Sequence, residues 1–206
     1  MLEGGNVVQE AMIADNATGM REKFVKACDE AHKASLESKV EAYGNIPENL
    51  TAEETVQLVA DALYEQGLGD ITLVSIAGLD ENYYKNDYGV AGWLYKGVVT
   101  EMELRIICNN EGSHRIDTVE MKGSQLLDYI RNGKTIKDEY TDNDCTWKYF
   151  SSGIDENDID EEKVYTVVFL NGDYPAEVAT SDTLTDTGIP MLDACREYIM
   201  THYPSL

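Results

Sequence analysis

The sequence predicts an α+β fold on three observations. Helical and strand-like periodicities interleave along the chain, yet they do not repeat as regular βαβ units. Val164 to Leu170 is an uninterrupted apolar run of strand length, the pattern of a central strand buried on both faces. Leu50 to Asp80 opens with a capped amphipathic helix and closes on a β-branched strand, so a helix and a core strand are joined by a short turn. The chain of 206 residues is long enough for one domain with a sizeable core, and a hydrophobic share of 43% fits a globular protein.

Taken in order, residues 1 to 16 read as a lead-in. From Asn16, the spacing of Met20, Phe24, Cys28 and Ala31 predicts a helix over Ala17 to Val40, its apolar stripe packed on the domain that follows. Ala42 to Leu50, with Gly44 and Pro47, reads as a connector. The expected division is a helical lead-in over residues 1–46 and a domain over 47–206. Thr51 and Glu54 form a T-x-x-E capping box, and Val56, Val59, Ala60 and Leu63 line one helical face until Gly67 stops it. A strand over Ile71 to Ala77 ends at Gly78.

The next stretch, Glu81 to Tyr95, carries Tyr83, Tyr84, Tyr88, Trp93 and Tyr95. Such rings either stack on bases and sugars or cover a sheet edge, and covering is the simpler role for an inserted loop. Glu103 to Cys108 is a helix end or a short strand. Ile116 to Lys122 reads as a strand, followed by a helix over Ser124 to Arg131 that Gly133 stops. Thr135 to Asp144 is polar and acidic. Thr146 to Gly153 holds Trp147, Tyr149 and Phe150 ahead of the acidic loop DENDIDEE. That loop lacks the D-x-D-x-D spacing and the sixth-position glycine of a calcium-binding EF-hand, so it reads as a solvated turn. Asn171 to Pro175 breaks the central strand. The last helix takes Thr187 as its cap and Pro190 in its first turn, with Leu192, Cys195, Tyr198 and Ile199 as its buried stripe.

Charge and motifs exclude several function classes. With 39 acidic and 16 basic residues the net charge is −23, a field that repels nucleic-acid backbones and anionic membranes. No nucleic-acid partner is expected. Residues 1 to 19 lack a basic start and a continuous apolar region, so neither a signal peptide nor a membrane span is expected there. The four cysteines show no C-x-x-C spacing, which argues against a zinc site; Cys28 and Cys195 fall on apolar stripes and read as buried free thiols. Cys108 and His114 have no orienting group or oxyanion loop to make them a nucleophile and base. No G-x-S-x-G, phosphate-binding P-loop or Rossmann glycine pattern occurs.

The segments VADAL, DITLVSIAGLD, GVVTEMELRII, RIDTVEMKGSQLLDYI, DEEKVYTVV and TGIPMLDACREYI follow one another over residues 47 to 206. In order and spacing this series resembles the C-terminal domain of 5′-nucleotidases. The resemblance implies a mixed-sheet core with outer helices, an α/β/β/α-like arrangement, and an exported parent protein found outside the cell or at its surface. It also implies that this chain is a fragment of a longer precursor. Members hydrolyse nucleotides on two metals held in a separate N-terminal domain by D-x-H, G-N-H-E and G-H-x-H motifs. None of His32, His114 and His202 lies in such a motif. The chain is therefore expected to hold no cofactor, with divalent metals only in a missing catalytic domain, and to be inactive alone.

In that family the C-terminal domain supplies the nucleoside pocket, with an arginine in a GGiR turn and two rings that sandwich the base. On this alignment Ser75 stands for an asparagine, Gly78 opens the turn, and Asp80 replaces the arginine. Cys108 and Asn109 replace a Pro-Phe pair, and Ile189 stands where some members carry a stacking ring. Trp147, Tyr149 and Phe150 still offer aromatic surface, while Asn171 to Tyr174 resembles a shortened GGDGY loop through Asp173 and Tyr174. The expected site is thus Ser75, Gly78, Asp80, Asn109, Trp147, Tyr149, Phe150, Asp173, Tyr174 and Ile189. Reversing the charge at Asp80 repels phosphate, and losing a ring weakens base binding by roughly 1–3 kcal/mol. Two functions follow: a nucleoside- or nucleotide-recognition domain with a degenerate pocket, working beside an upstream catalytic domain, or a non-catalytic interaction module that retains the scaffold.

Overall fold

The computed structural model describes residues 41–76, 93–108, 114–137 and 144–204 with scattered positions before them, side chains excepted at 134–137 and 144–147. Residues Met1–Val40 and Glu41–Leu206 form two separate units. In the first, Lys23, Lys26, Ala27 and Glu30 are helical, as expected; the remainder of that helix, and its packing, lie outside the described residues.

The second unit is built outward from the capped helix. In α1 (Ala52–Tyr64) the Thr51 hydroxyl accepts from the Glu54 amide at 3.2 Å, and Glu54 accepts from the Thr51 amide at 2.8 Å. Both partners are exposed, so the box acts by satisfying amides that the helix leaves orphaned. A second box at Thr100 and Glu103 opens α2 (Glu101–Ile107), which settles Glu103 to Cys108 as helix rather than strand. Gly133, at φ 66°, stops α3 (Gly123–Asn132), and α4 spans Met191–His202.

The strands are β1 (Gly44–Ile46), β2 (Ile71–Ile76), β3 (Gly97–Val99), β4 (Arg115–Lys122), β5 (Lys134–Lys137), β6 (Asp144–Gly153), β7 (Val164–Leu170) and β8 (Thr185–Pro190). Six of them form one mixed sheet in the order β5-β6-β2-β7-β4-β8. Among the described residues only β2 and β7 run parallel; the other neighbours are antiparallel. Alternation along the strands separates two apolar faces. Val74, Ile76, Val168 and Leu170 face α1 and α4, whereas Ile71, Leu73, Val167 and Phe169 face α3. The run from Val164 to Leu170 is therefore a central strand with buried residues on each face, as its composition predicts.

Three local expectations are corrected. The connector over Ala42 to Leu50 contains β1, which pairs with β3 as a two-stranded ribbon in the same core as α1 and α4. Gly44 makes this possible: a Cβ there would lie 2.3 Å from the Tyr203 carbonyl oxygen, and Asn45 N–H donates to that same oxygen at 2.8 Å. The polar stretch after Thr135 holds β5, formed because β6 offers it a partner edge. Thr187 is not a helix cap but lies in β8, donating to the Ile116 carbonyl at 2.6 Å; Pro190 then occupies the cap position of α4.

Thr51→Ala is expected to lower stability by about 1 kcal/mol, the usual worth of a lost N-cap. Gly44→Ala should cost more, about 1–3 kcal/mol, because its methyl meets backbone that cannot rotate away. Urea unfolding followed by circular dichroism checks both, and equal effects would contradict the tight seat assigned to Gly44.

Candidate functional site

The parallel pairing of β2 with β7 puts their carboxyl ends at one end of the sheet. The antiparallel partners β6 and β4 bring their amino-terminal halves there, and β8 brings its carboxyl end, since Pro190 pairs with Arg115. Ser75, the Lys148–Phe150 stretch, His114, the turn after Leu170, and Ile189 thus converge. In open sheets with parallel strands this is the end where ligands bind.

Ser75 shares the α3-facing side of β2 with Ile71 and Leu73, and its cross-strand partner is Tyr149. Gly172, at φ 78°, turns the chain after β7 so that the fully buried Asp173 comes back to Ser75. The Ser75 amide donates to Asp173 Oδ2 at 2.9 Å, and the Ser75 hydroxyl donates to Oδ1 at 2.5 Å. The Tyr149 hydroxyl donates to the Asp173 carbonyl at 3.0 Å. Burial, and then the nearby Asp173 charge, push the Tyr149 phenol far above its ordinary range, so it remains a neutral donor.

A second carboxylate lies beside this one. Asp117 of β4 is only 2% exposed and pairs with Phe169 on one side and Asp186 on the other. Its Oδ2 accepts from Asn171 Nδ2 at 2.8 Å and from the Tyr174 hydroxyl at 3.2 Å, while Oδ1 has no hydrogen-bond partner. Burial raises the Asp117 pKa, the two donors oppose the rise, and Asp186 adds to it. The rings of Tyr129, Tyr149, Phe169 and Tyr174 follow one another at 6.4, 5.8 and 6.0 Å along this face.

Among the expected site residues, Ser75, Tyr149 and Asp173 are brought into direct contact. Gly78, Asp80 and Asn109 lie outside the described residues, as does the side chain of Trp147, whose backbone pairs with Lys134. Tyr174 is half-buried, edge-on to Phe169, and Ile189 packs in part on the α1–α4 face. The clamp of neighbouring rings needs correction. Tyr149 is buried on the α3 face, whereas Phe150 packs on the α1–α4 face with Lys148 Nζ 4.7 Å from its ring centre. Adjacent strand residues point to opposite faces, so these two rings cannot close on one ligand. Asp117 escaped the sequence reading; its only signal is a charged residue in the inward-facing phase of RIDTVEMK.

The described residues contain no group of three or more histidine, cysteine or acidic side chains able to hold a metal ion. His202 lies 2.8 Å from Glu65 on the surface, and His114 Nδ1 lies 3.3 Å from the Asn171 carbonyl oxygen. A two-metal hydrolytic centre does not fit the arrangement of these described residues. No helix among the described residues is long and apolar enough to cross a membrane.

No protein-family model and no curated protein sequence matches the chain. Solved structures do. A 5′-nucleotidase precursor from Thermus thermophilus superposes on 90% of this chain with a TM-score of 0.59 at 14% identity. The chain has a 5′-nucleotidase C-terminal-domain fold. An NAD nucleotidase from Haemophilus influenzae matches 90% of the chain (TM-score 0.54, 12% identity), and a sulfate thiohydrolase from Thermus thermophilus matches 87% (0.54, 13%). The chain spans only 40%, 39% and 36% of those three proteins. The three are named for different reactions, so the shared fold alone does not specify a substrate.

Asp173→Asn is expected to cost about 1–3 kcal/mol, because the amide keeps one acceptor oxygen but turns an NH2 donor toward one of the two Ser75 donors. Ser75→Ala should be milder, since the backbone donor remains; urea midpoints test the order. The Asp117 pKa is raised by folding, so the fold bears no cost where both states are protonated. That cost grows as pH climbs from about 4 through the raised value. The stability difference between Asp117→Asn and the parent should therefore move in the variant's favour from about pH 4 to pH 7. A difference independent of pH would refute this account.

Proposed function

We propose that this chain is the ligand-recognition domain of a secreted 5′-nucleotidase or related metallophosphoesterase. Its binding end takes a neutral nucleoside-like group rather than a phosphate. The observation that carries the reading is the convergence at one sheet end of the segments that hold the expected site residues. Ser75 and Asp173 act there as the frame. In this reading Gly78, Asp80, Asn109, Trp147, Phe150, Tyr174 and Ile189 supply contacts, with Tyr149 holding the frame from behind. Asp80 turns the arginine position acidic, and the buried Asp117 adds a second carboxyl at the converging end of the sheet, whereas Asp186 is paired with Arg115 at 3.2 Å. Hydrolysis, in this reading, belongs to an upstream domain that carries the metals.

A specific observation also favours the second reading, a non-catalytic interaction module. Ser75 directs its amide and hydroxyl to the Asp173 carboxylate, and the Tyr149 hydroxyl binds the Asp173 carbonyl, so these groups serve the scaffold.

Calorimetric titration at low salt separates the two. Adenosine should bind more tightly than its monophosphate, and Asp80→Arg should narrow that gap by about 1 kcal/mol, the scale for a partly screened charge. Equal or stronger binding of the monophosphate would overturn the proposal. Failure of both ligands to bind would favour the interaction module.

A further inference from the structure

Cys108 closes α2 as its C-terminal cap, and Cys195 lies on the buried side of α4. Both thiols are free and sealed from solvent, and their sulfurs stand 3.8 Å apart. Leu104, Ile107, Met191 and Ala194 belong to the same apolar cluster. The two cysteines are 87 residues apart in sequence, so only the packing of α2 against α4 brings them together.

We propose that Cys108 and Cys195 are a covalent modification site, joined as a disulfide that ties α2 to α4. The sulfurs are already in van der Waals contact, and bonding requires them to close to about 2.05 Å. The oxidant is a low-molecular-weight disulfide. One cysteine loses its proton, and its thiolate attacks that disulfide, forming a mixed disulfide and releasing one small thiol. The second cysteine, deprotonated in turn, attacks the protein-bound sulfur; the protein S–S bond forms and the second small thiol leaves. Two protein thiols are oxidised and one small disulfide is reduced.

The surroundings also set when this happens. The hydrogen bond with Cys195, together with burial, holds the Cys108 thiol well above its ordinary range. In the finished core it is protonated and a poor nucleophile. The bond therefore forms while α2 and α4 are still closing, as in a protein folded in an oxidising compartment. Once formed, it anchors the start of the segment that carries Asn109 to the helix that follows Ile189 and Pro190. The inference does not depend on the ligand proposed above.

The test is oxidative refolding of the full chain in mixed oxidised and reduced glutathione, followed by alkylation in denaturant. The expected product has a mass lower by two hydrogens before alkylation. Non-reducing digestion should give one peptide pair linking Cys108 to Cys195, with Cys28 and Cys145 alkylated, and the urea midpoint should exceed that of the reduced protein. A C28S/C145S variant should form the same bond. Alkylation of Cys108 and Cys195 after refolding, or their linkage to Cys28 or Cys145, would overturn the proposal.

Discussion

The junction of β2 with β7 is the constraint on which this domain depends. It is the one parallel pairing among the described strands, and its regular register covers only Ile71 with Val167 and Thr72 with Val168. Aspartates secure both ends of this short ladder. At the start, Asp70 donates its amide to the Thr166 carbonyl and accepts from the Thr166 amide through Oδ2, each at 2.8 Å. At the far end, the Asp173 carboxylate takes the Ser75 amide beyond the last registered pair. A buried amide left without a partner would cost about 1–3 kcal/mol, so a side chain here does what the missing ladder would have done.

That arrangement ties the scaffold to some of the residues that the resemblance places at a ligand site. Ser75 and Asp173 sit where the resemblance places ligand contacts, yet they are occupied with holding two strands together. The groups that face them, Tyr149 and the Asn171–Tyr174 turn, are drawn into the same buried polar network. Substitutions beyond this network leave its hydrogen bonds in place, whereas replacing its members removes bonds that seat the turn after the central strand. The high acidic charge of the whole chain opposes anions in general.

The Asp117 network shows the reverse balance. Two donors reach one carboxylate oxygen, and the other oxygen faces no partner, so burial is only partly offset. Its neighbours Asn171 and Tyr174 border the Asp173 turn, and a ligand or solvent donor at Oδ1 would complete the set. This unbalanced group lies at the end of the sheet where the segments converge.

Local rules made much of the fold legible. The Thr51 capping box, the apolar stripes of α1 and α4, the Gly133 stop and the apolar run of β7 each depend on residues a few positions apart, and periodicity records such relations directly. The opposite facing of Tyr149 and Phe150 follows from strand alternation as well, although the sequence reading grouped the two rings together. By contrast, β1, β5 and β8 are short strands whose own residues carry weak strand signals; they exist because β3, β6 and β4 present edges to them. Which strands lie side by side, that β2 and β7 run parallel, and that Ser75 meets Asp173 and Cys108 meets Cys195 were decided by tertiary structure alone. Those contacts join residues 98 and 87 positions apart, and no local pattern of charge or hydrophobicity encodes a partner at such separation.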